Sequence, residues 1–355
     1  MAYTAIDNPE LYFQTKIYTG NGSSRSITFD GDEDMQPDWS WFKARSQSYN
    51  HALFDSVRGA TKLIRSNQNT AEETHSTTLT AFNSNGFSLG GGDAFTNVNT
   101  ETYVSWHWKA SGSTASNTDG TNITSTVSAN TTAGFSIVSY TGSGTISDTV
   151  GHGLGTTPNV VIIKNRDTGT SGWNVHHSSL SSGYNLQLQA TSAQFNSTGQ
   201  GHIGTVGSST FGFVAGSSGN DQVNDSSEKY IAYCFAEKKG FSKFGSYTGN
   251  GNTDGTFVYT GFKPAWFIVK KSSASGDSWV IIDSKRFPHN FVDKFIYADE
   301  SDAESGSAER LDFLSNGIKI RATHSFINTS GATYIYMAFA ENPFVSSTGI
   351  PTTAR

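Results

Sequence analysis

Nearly the same five residues occur three times in this chain: Tyr-Thr-Gly-Asn-Gly at 18–22, Tyr-Thr-Gly-Ser-Gly at 140–144 and Tyr-Thr-Gly-Asn-Gly at 247–251. One such phrase is a turn signal, since glycine reaches positive φ without steric cost. Three of them constrain the architecture, because the same landmarks follow each in the same order. A proline stands 19, 18 or 17 residues after the tyrosine (Pro37, Pro158, Pro264) and opens a mostly apolar run closed by Lys43, Lys164 or Lys270. A strand-like segment follows at 51–56, 173–178 and 279–284, then a glycine with alternating residues at Gly86, Gly212 and Gly317. Last comes an asparagine six residues before a tyrosine: Asn97 and Tyr103, Asn224 and Tyr230, Asn328 and Tyr334.

That final tyrosine opens the clearest alternation. Val104, Trp106 and Trp108 share one face, as do Ile231, Tyr233 and Phe235, and Ile335, Met337 and Phe339. A period of two puts each trio on one side of a sheet, the core side in the simplest reading. The opposite face is small or amphipathic, which suits a central strand covered on both sides. In the apolar runs, proline fits a strand's first position, and the closing lysine is expected to lay its stem on the core and its ammonium in water.

Aromatic residues make up 13% of the chain while glycine alone contributes 37 residues, a composition of short strands and tight turns. The expected fold is all-β: three tandem β-sandwich or barrel-like modules related by internal repeat, at 17–110, 134–239 and 240–342. An N-terminal docking segment (1–16), a Ser/Thr/Asn/Gly linker (111–133) and a C-terminal tail (343–355) complete the division. The linker's composition predicts a flexible connection between the first two modules. The second and third run into one another without a break, so their relative orientation is expected to be rigid.

The net charge is −6 and no run of lysines and arginines occurs, which argues against nucleic acid as a partner. One cysteine, Cys234, excludes an internal disulfide. The N-terminus lacks the basic region of a signal peptide, and no apolar stretch is long enough to span a bilayer as a helix. Manufacture in a reducing cytoplasm and no membrane insertion are the expectations.

Chemistry is sparse. The nine histidines are dispersed, and adjacent His176 and His177 point to opposite faces of their strand. The glycine-rich 151–159 leads into a proline and a strand, so a turn is expected there and not a phosphate cradle. The acidic clusters at 31–35 and 298–305 read as exposed turns and do not match a calcium loop. No paired carboxylates and no nucleophile elbow mark a catalytic site, and no cofactor or metal is expected. The tryptophans fall in columns where other copies place Val, Ile, Phe or Met, which reads as core packing.

One pattern stands out. Asp55 and Arg58 recur three apart as Asp283 and Arg286, whereas the second copy has His177 and Leu180. A strand-end turn closed by an exposed ion pair is the simplest reading, contributing under about 1 kcal/mol. The functional alternative makes Asp55, Arg58, Asp283 and Arg286 candidate ligand-binding residues that hydrogen-bond a sugar hydroxyl.

Taken together, MAYTAIDNPELYFQTKIYTGNG, PDWSWFKARS, HALFDSVRGATKLI, FNSNGFSLG, YVSWHWKA and MAFAENPFVSSTGIP resemble a family of repeat-containing virion proteins of tailed bacteriophages, notably marine and cyanobacterial ones. The resemblance covers essentially the whole chain, most closely the first copy and both termini. It implies concanavalin- or SPRY-like β-sandwich modules and a structural or tail-fibre-like role, with no defined catalytic residues to carry over. The expected function is therefore a non-enzymatic virion component on the particle exterior, as head decoration or knob or as a tail-fibre-type accessory. It would be assembled in the host cytoplasm and would mediate particle assembly or host attachment. Its expected partners are other virion proteins of the capsid or tail, a host-surface glycan, and further copies of itself as a homo-oligomer. The alternative class is a carbohydrate-binding adhesin, with or without polysaccharide depolymerase activity. Three similar modules also suit a site of local three-fold symmetry.

Overall fold

A computed structural model describes residues 3–197, 201–214 and 222–352. The fold is all-β, and among the described residues the strands are joined by turns, a 3₁₀ turn at Pro9–Leu11 and one four-residue α-helix, Ser325–Asn328. Of the terminal segments, residues 1–2 and 353–355 lie outside the described residues, as do 198–200 and 215–221 of the second copy.

One antiparallel strand order recurs in all three copies. The first strand of each copy (Phe13–Thr19, Phe135–Thr141, Ser242–Thr248) pairs with the last (Thr102–Trp108, Lys229–Phe235, Thr333–Pro343). The last strand pairs in turn with the proline-led strand (Trp39–Ala44, Val160–Asn165, Phe262–Lys271), whose other neighbour is Ala52–Asp55, Trp173–His177 or Val280–Asp283. Pro264 sits inside its strand, and the ladder shifts register on both sides of it, as a residue without an N–H requires.

The repeated phrase closes these sheets. Tyr18 lies opposite Tyr103, Tyr140 opposite Tyr230 and Tyr247 opposite Tyr334, with rings stacked at centroid distances of 5.4, 5.1 and 5.0 Å. Each phrase tyrosine donates its hydroxyl to a backbone carbonyl of the loop before the last strand, at Thr96, Val223 or Ile327. A Cβ on Gly20, Gly142 or Gly249 would meet a carbonyl of that loop at 2.0, 2.3 or 2.3 Å, so only glycine fits. The next residue offers its backbone N–H to the buried asparagine of the same copy: Asn21 to Asn97, Ser143 to Asn224, Asn250 to Asn328. That bond uses no side chain of the phrase, which is why serine replaces asparagine at 143.

Both faces of these sheets are buried. The face carrying Tyr103, Tyr230 or Tyr334 packs on a second layer of its own copy and gives three separate cores. The second layer holds Arg25–Ile27, Gly86–Leu89 and Leu79–Asn83 in the first copy, and Asn122–Ile123, Thr149–Gly151, Thr210–Phe213 and Ile203–Val206 in the second. Strand pairing thus puts Thr210, and not Gly212, at the position of Gly86 and Gly317. In the third copy, Val292–Tyr297 and Ser305–Leu314 join the two layers into one eight-stranded sheet curled into a nearly closed barrel.

The opposite faces, with Trp106, Tyr233 and Met337, do not face water. They meet in one core common to all three sheets. Trp41, Ile162 and Ile268 occupy equivalent positions opposite Trp106, Tyr233 and Met337, and all three line a single apolar void of about 10 Å³. A void so small and so apolar stays dry. Trp39 stacks on Tyr233 at 4.4 Å and Phe13 on Phe339 at 5.5 Å, so rings interlock across copies.

Two expectations are corrected. Residues 111–133 are no free linker: Ala115–Asn117 and Ser125–Asn130 extend the second sheet, and Asn122–Ile123 pairs in parallel with Thr149–Gly151. Ile123, Ser125 and Val127 alternate inward, but a serine in an inward column and threonines outward hide the period. The closing lysines are also fully buried. Lys43 donates to the carbonyls of Ala44 and Gln47, Lys164 to those of Asn165, Ser171 and Asn69, and Lys270 to those of Lys271 and Thr191. Burial lowers the pKa of Lys43 to about 7 and those of Lys164 and Lys270 to about 8.

The chain ends meet the body. Thr4 and Ala5 hydrogen-bond the carbonyl of Lys239 at the junction of the second and third copies, and Asp7 accepts from Ser347 in the C-terminal segment.

Candidate functional site

Asp55, His177 and Asp283 occupy one position, opposite Trp39, Val160 and Trp266 at the end of the fourth strand. At that end the chain turns, and the carboxylate caps it: Asp55 Oδ1 accepts the backbone N–H of Val57 and Arg58, and Asp283 Oδ1 that of Arg286. The arginine three residues on folds back. Its Nε bonds the second carboxylate oxygen, in the Arg58–Asp55 pair and at 2.5 Å in the Arg286–Asp283 pair. Its Nη2 donates to a carbonyl of its own strand, Leu53 at 3.1 Å or Ile281 at 2.9 Å.

The remaining partners come from the neighbouring copy. Tyr233 Oη donates to Asp55 Oδ2 at 2.7 Å, and Trp106 Nε1 donates to Asp283 Oδ2 at 3.0 Å. The Arg286 guanidinium lies 5.7 Å from the centre of the Trp106 ring. Behind each arginine stands a glutamate shared with a second arginine across the seam. Glu72 binds Arg58 at 3.2 Å and takes Arg166 bidentately at 2.9 and 3.0 Å. Glu304 binds Arg286 at 3.1 Å and takes Arg45 at 2.9 and 3.0 Å.

The side chains of Asp55, Arg58, Asp283 and Arg286 have no exposed surface, and each is hydrogen-bonded within the protein. The ligand-binding reading of these four residues is therefore wrong, and so is the exposed turn. They are buried seam clamps, because the sheet face at that strand end is covered by the next copy. Burial opposes charge on Arg58, but Asp55, Tyr233 and Glu72 outweigh it and hold its pKa above the ordinary value. Burial also works against Glu72 and Glu304, yet their two arginines keep both carboxylates below the usual range.

The third seam explains the departure in the second copy. The position of Trp106 and Tyr233 is filled there by Met337, which has no donor for a carboxylate. His177 stands in place of the aspartate, accepts the N–H of Ser179 on Nδ1 and donates Nε2–H to the carbonyl of Tyr336 at 3.1 Å. Burial lowers the pKa of His177 to about 4, so the ring is neutral. Gln194 and Ser272 replace the glutamate and the far arginine, while the backbone bond persists: Glu72 to Arg166, Gln194 to Ser272 and Glu304 to Arg45, at 2.8, 2.9 and 2.8 Å. The contacts are thus cyclic, with the first copy clasping the second, the second the third and the third the first.

Sequence reasoning missed Glu72, Arg45 and Arg166, and placed Trp106 and Tyr233 only as core. It read Glu304 as part of an exposed acidic turn, whereas its carboxylate is largely buried between Arg45 and Arg286. A signal existed: the aspartate and arginine are present when the next copy offers Tyr or Trp, and absent when it offers Met. Among the described residues, no three His, Cys, Asp or Glu side chains stand close enough to hold a metal ion, and no helix is long and apolar enough to cross a membrane.

Residues 8–343 match a family described as "Domain of unknown function (DUF7483)", and the chain belongs to that family. One match spans all three sheets, so the family's unit takes in the whole clasped body. Searches of curated proteins and of solved structures find no match.

Proposed function

We propose that this protein is a non-enzymatic structural component of a bacteriophage particle. It is displayed on the exterior as head decoration or as a tail-fibre-type accessory, and it contacts capsid or tail proteins and the host surface. The cyclic clasp carries this reading. Three sheets share one aromatic core, and two buried Asp–Arg pairs lock seams between them. Such a body suits a rigid unit of pseudo-three-fold shape, able to sit on a three-fold position of a particle as a single chain. The phage resemblance of the sequence supplies the context, and the lack of disulfides suits assembly in a host cytoplasm.

The test is localisation. Mass spectrometry of purified virions should detect the chain at a fixed copy number, and a cryo-EM map should place its three sheets about an axis on the head or tail. Absence from purified particles overturns the proposal. Presence in an arrangement where the three sheets meet unrelated surroundings overturns the symmetry argument alone.

A further inference from the structure

The three copies serve as controls for one another. In the outer layer, Ile27, Val150 and Val258 occupy one inward position, paired with Phe87, Phe211 and Ile318. The residues flanking them point away from that core. They are Ser26 and Thr28 in the first copy, Thr149 and Gly151 in the second, and Phe257 and Tyr259 in the third. Folding this strand needs no aromatic side chain there, since two copies manage with small residues. Phe257 and Tyr259 are nonetheless 44% and 59% exposed.

Tyr259 also borders a pocket of about 180 Å³. The pocket forms where the junction of the second and third copies meets both terminal segments, and Tyr3 and Phe344 line it too, 59% and 38% exposed. Its polar wall is Glu237, Lys239, Lys243 and Thr260. Glu237 is held by Lys243 at 2.7 Å, and the Lys239 ammonium lies 5.7 Å from the centre of the Tyr3 ring. The volume falls below the roughly 300–1,000 Å³ of pockets that enclose drug-sized ligands, so it takes one unit of a longer ligand.

We infer that this pocket and the aromatic strip beside it bind an oligosaccharide. Exposed rings next to fixed charged groups match the two kinds of surface a sugar presents. Its C–H face stacks on Tyr or Phe, and its hydroxyls hydrogen-bond the carboxylate and ammonium groups. Phe257 and Tyr259 are two residues apart on one strand face, roughly 7 Å, so the next unit of the chain lies along them. A protein partner fits less well, because the charged pair interrupts the apolar surface. The inference rests on the attachment half of the proposed function and names its ligand class. It is tested on the purified full chain, so it stands or falls independently of where the protein sits on a particle.

The probes are maltoheptaose, chitotetraose and oligosaccharides released from bacterial lipopolysaccharide, followed by saturation-transfer NMR and titration calorimetry. At least one should bind, with saturation reaching the sugar from aromatic protons. Replacing Phe257→Ser together with Tyr259→Thr, which installs the kind of residue the first copy carries, should weaken that binding about tenfold or more. Tyr3→Ala should weaken it as well, and all variants should melt with the parent chain. No binding to any of the three probe classes overturns the inference, as does binding left within about twofold by the double variant. A double variant that instead changes the sedimentation coefficient assigns the strip to contacts between copies of the protein, which also overturns it.

Discussion

The Tyr233 hydroxyl donates to the Asp55 carboxylate at 2.7 Å across the seam between the second and first copies, and Trp106 repeats the contact with Asp283 at 3.0 Å between the first and third. Each donor belongs to the common core and each acceptor to a strand end, so a seam is locked where apolar packing gives way to charge. A buried carboxylate that already accepts from its arginine and its own turn is satisfied only when the neighbouring copy is in place. The charged seams therefore specify the relative placement of the sheets more than they add raw stability, since well-packed apolar groups would serve equally for the latter.

Removing one partner from these clamps should be costly. Asp55→Asn leaves the buried Arg58 without its closest counter-charge and should destabilise by about 3–5 kcal/mol, the range for breaking a buried pair. Tyr233→Phe removes the hydroxyl that donates to Asp55 and accepts from Arg58 at 3.4 Å, and should cost about 1.5–3 kcal/mol. Denaturant unfolding monitored by tryptophan fluorescence reads both. A loss under about 1 kcal/mol for Asp55→Asn is the behaviour of an exposed pair and would refute the buried clamp.

The neutral seam makes a complementary case. His177→Asp alone introduces a buried carboxylate beside Met337, which offers it no donor, and should destabilise by about 3 kcal/mol or more. Adding Leu180→Arg and Met337→Tyr restores the Asp, Arg and Tyr of the first seam, though not its glutamate and far arginine, and should recover more than half of that loss. Equal melting temperatures for the single and triple variants would show that the cyclic correspondence does not govern this position.

Periodicity exposed the architecture within each copy but not the packing between copies. The alternation of Trp106, Tyr233 and Met337 identified an apolar face, because side-chain direction is a local property of a strand. What covers that face is a long-range property. A lysine closing an apolar run looks solvated, and an Asp three residues before an Arg looks like a surface turn, until a second copy lies over both. Serine columns hid the strands in 111–133 for a related reason: the backbone ladder holds an edge strand that contributes few apolar side chains. The exposed Phe257 and Tyr259 were visible as letters, yet only strand pairing shows that they occupy positions filled by small residues elsewhere.

The repeated phrase makes a sharp prediction about which of its letters matter. Gly20→Ala, Gly142→Ala or Gly249→Ala would each bring a methyl carbon to 2.0–2.3 Å from a backbone carbonyl, so the loop before the last strand must move. Each should cost more than about 2 kcal/mol, within the range of overpacking in a tight site. Asn21→Ser copies what the second copy already carries at Ser143, and the N–H donated to Asn97 is unchanged, so its cost should stay within about 0.5 kcal/mol. Thermal melts of the two kinds of variant should separate cleanly, and a glycine variant as stable as the parent would remove the close approach from the explanation.

Acid should loosen this body before the ordinary carboxylates titrate. His51 is buried between Trp41 Nε1, which donates to its Nδ1, and the Tyr297 carbonyl of the third copy, which accepts from its Nε2. Burial and the neighbouring Lys43 lower its pKa to about 3, and burial lowers those of His176, His177 and His202 to about 4. In the unfolded chain each titrates near about 6.5. Between these values the unfolded state binds more protons, so stability is fully present above about pH 6.5 and is lost as pH falls toward 4. Asp299, raised by burial to about 6, acts in the opposite sense over part of that window, and four histidines outweigh it. The unfolding midpoint in denaturant should fall steadily from pH 7 to pH 4.5, and His51→Gln should flatten the slope even if it lowers the plateau. A midpoint independent of pH across that interval would contradict neutral, buried histidines.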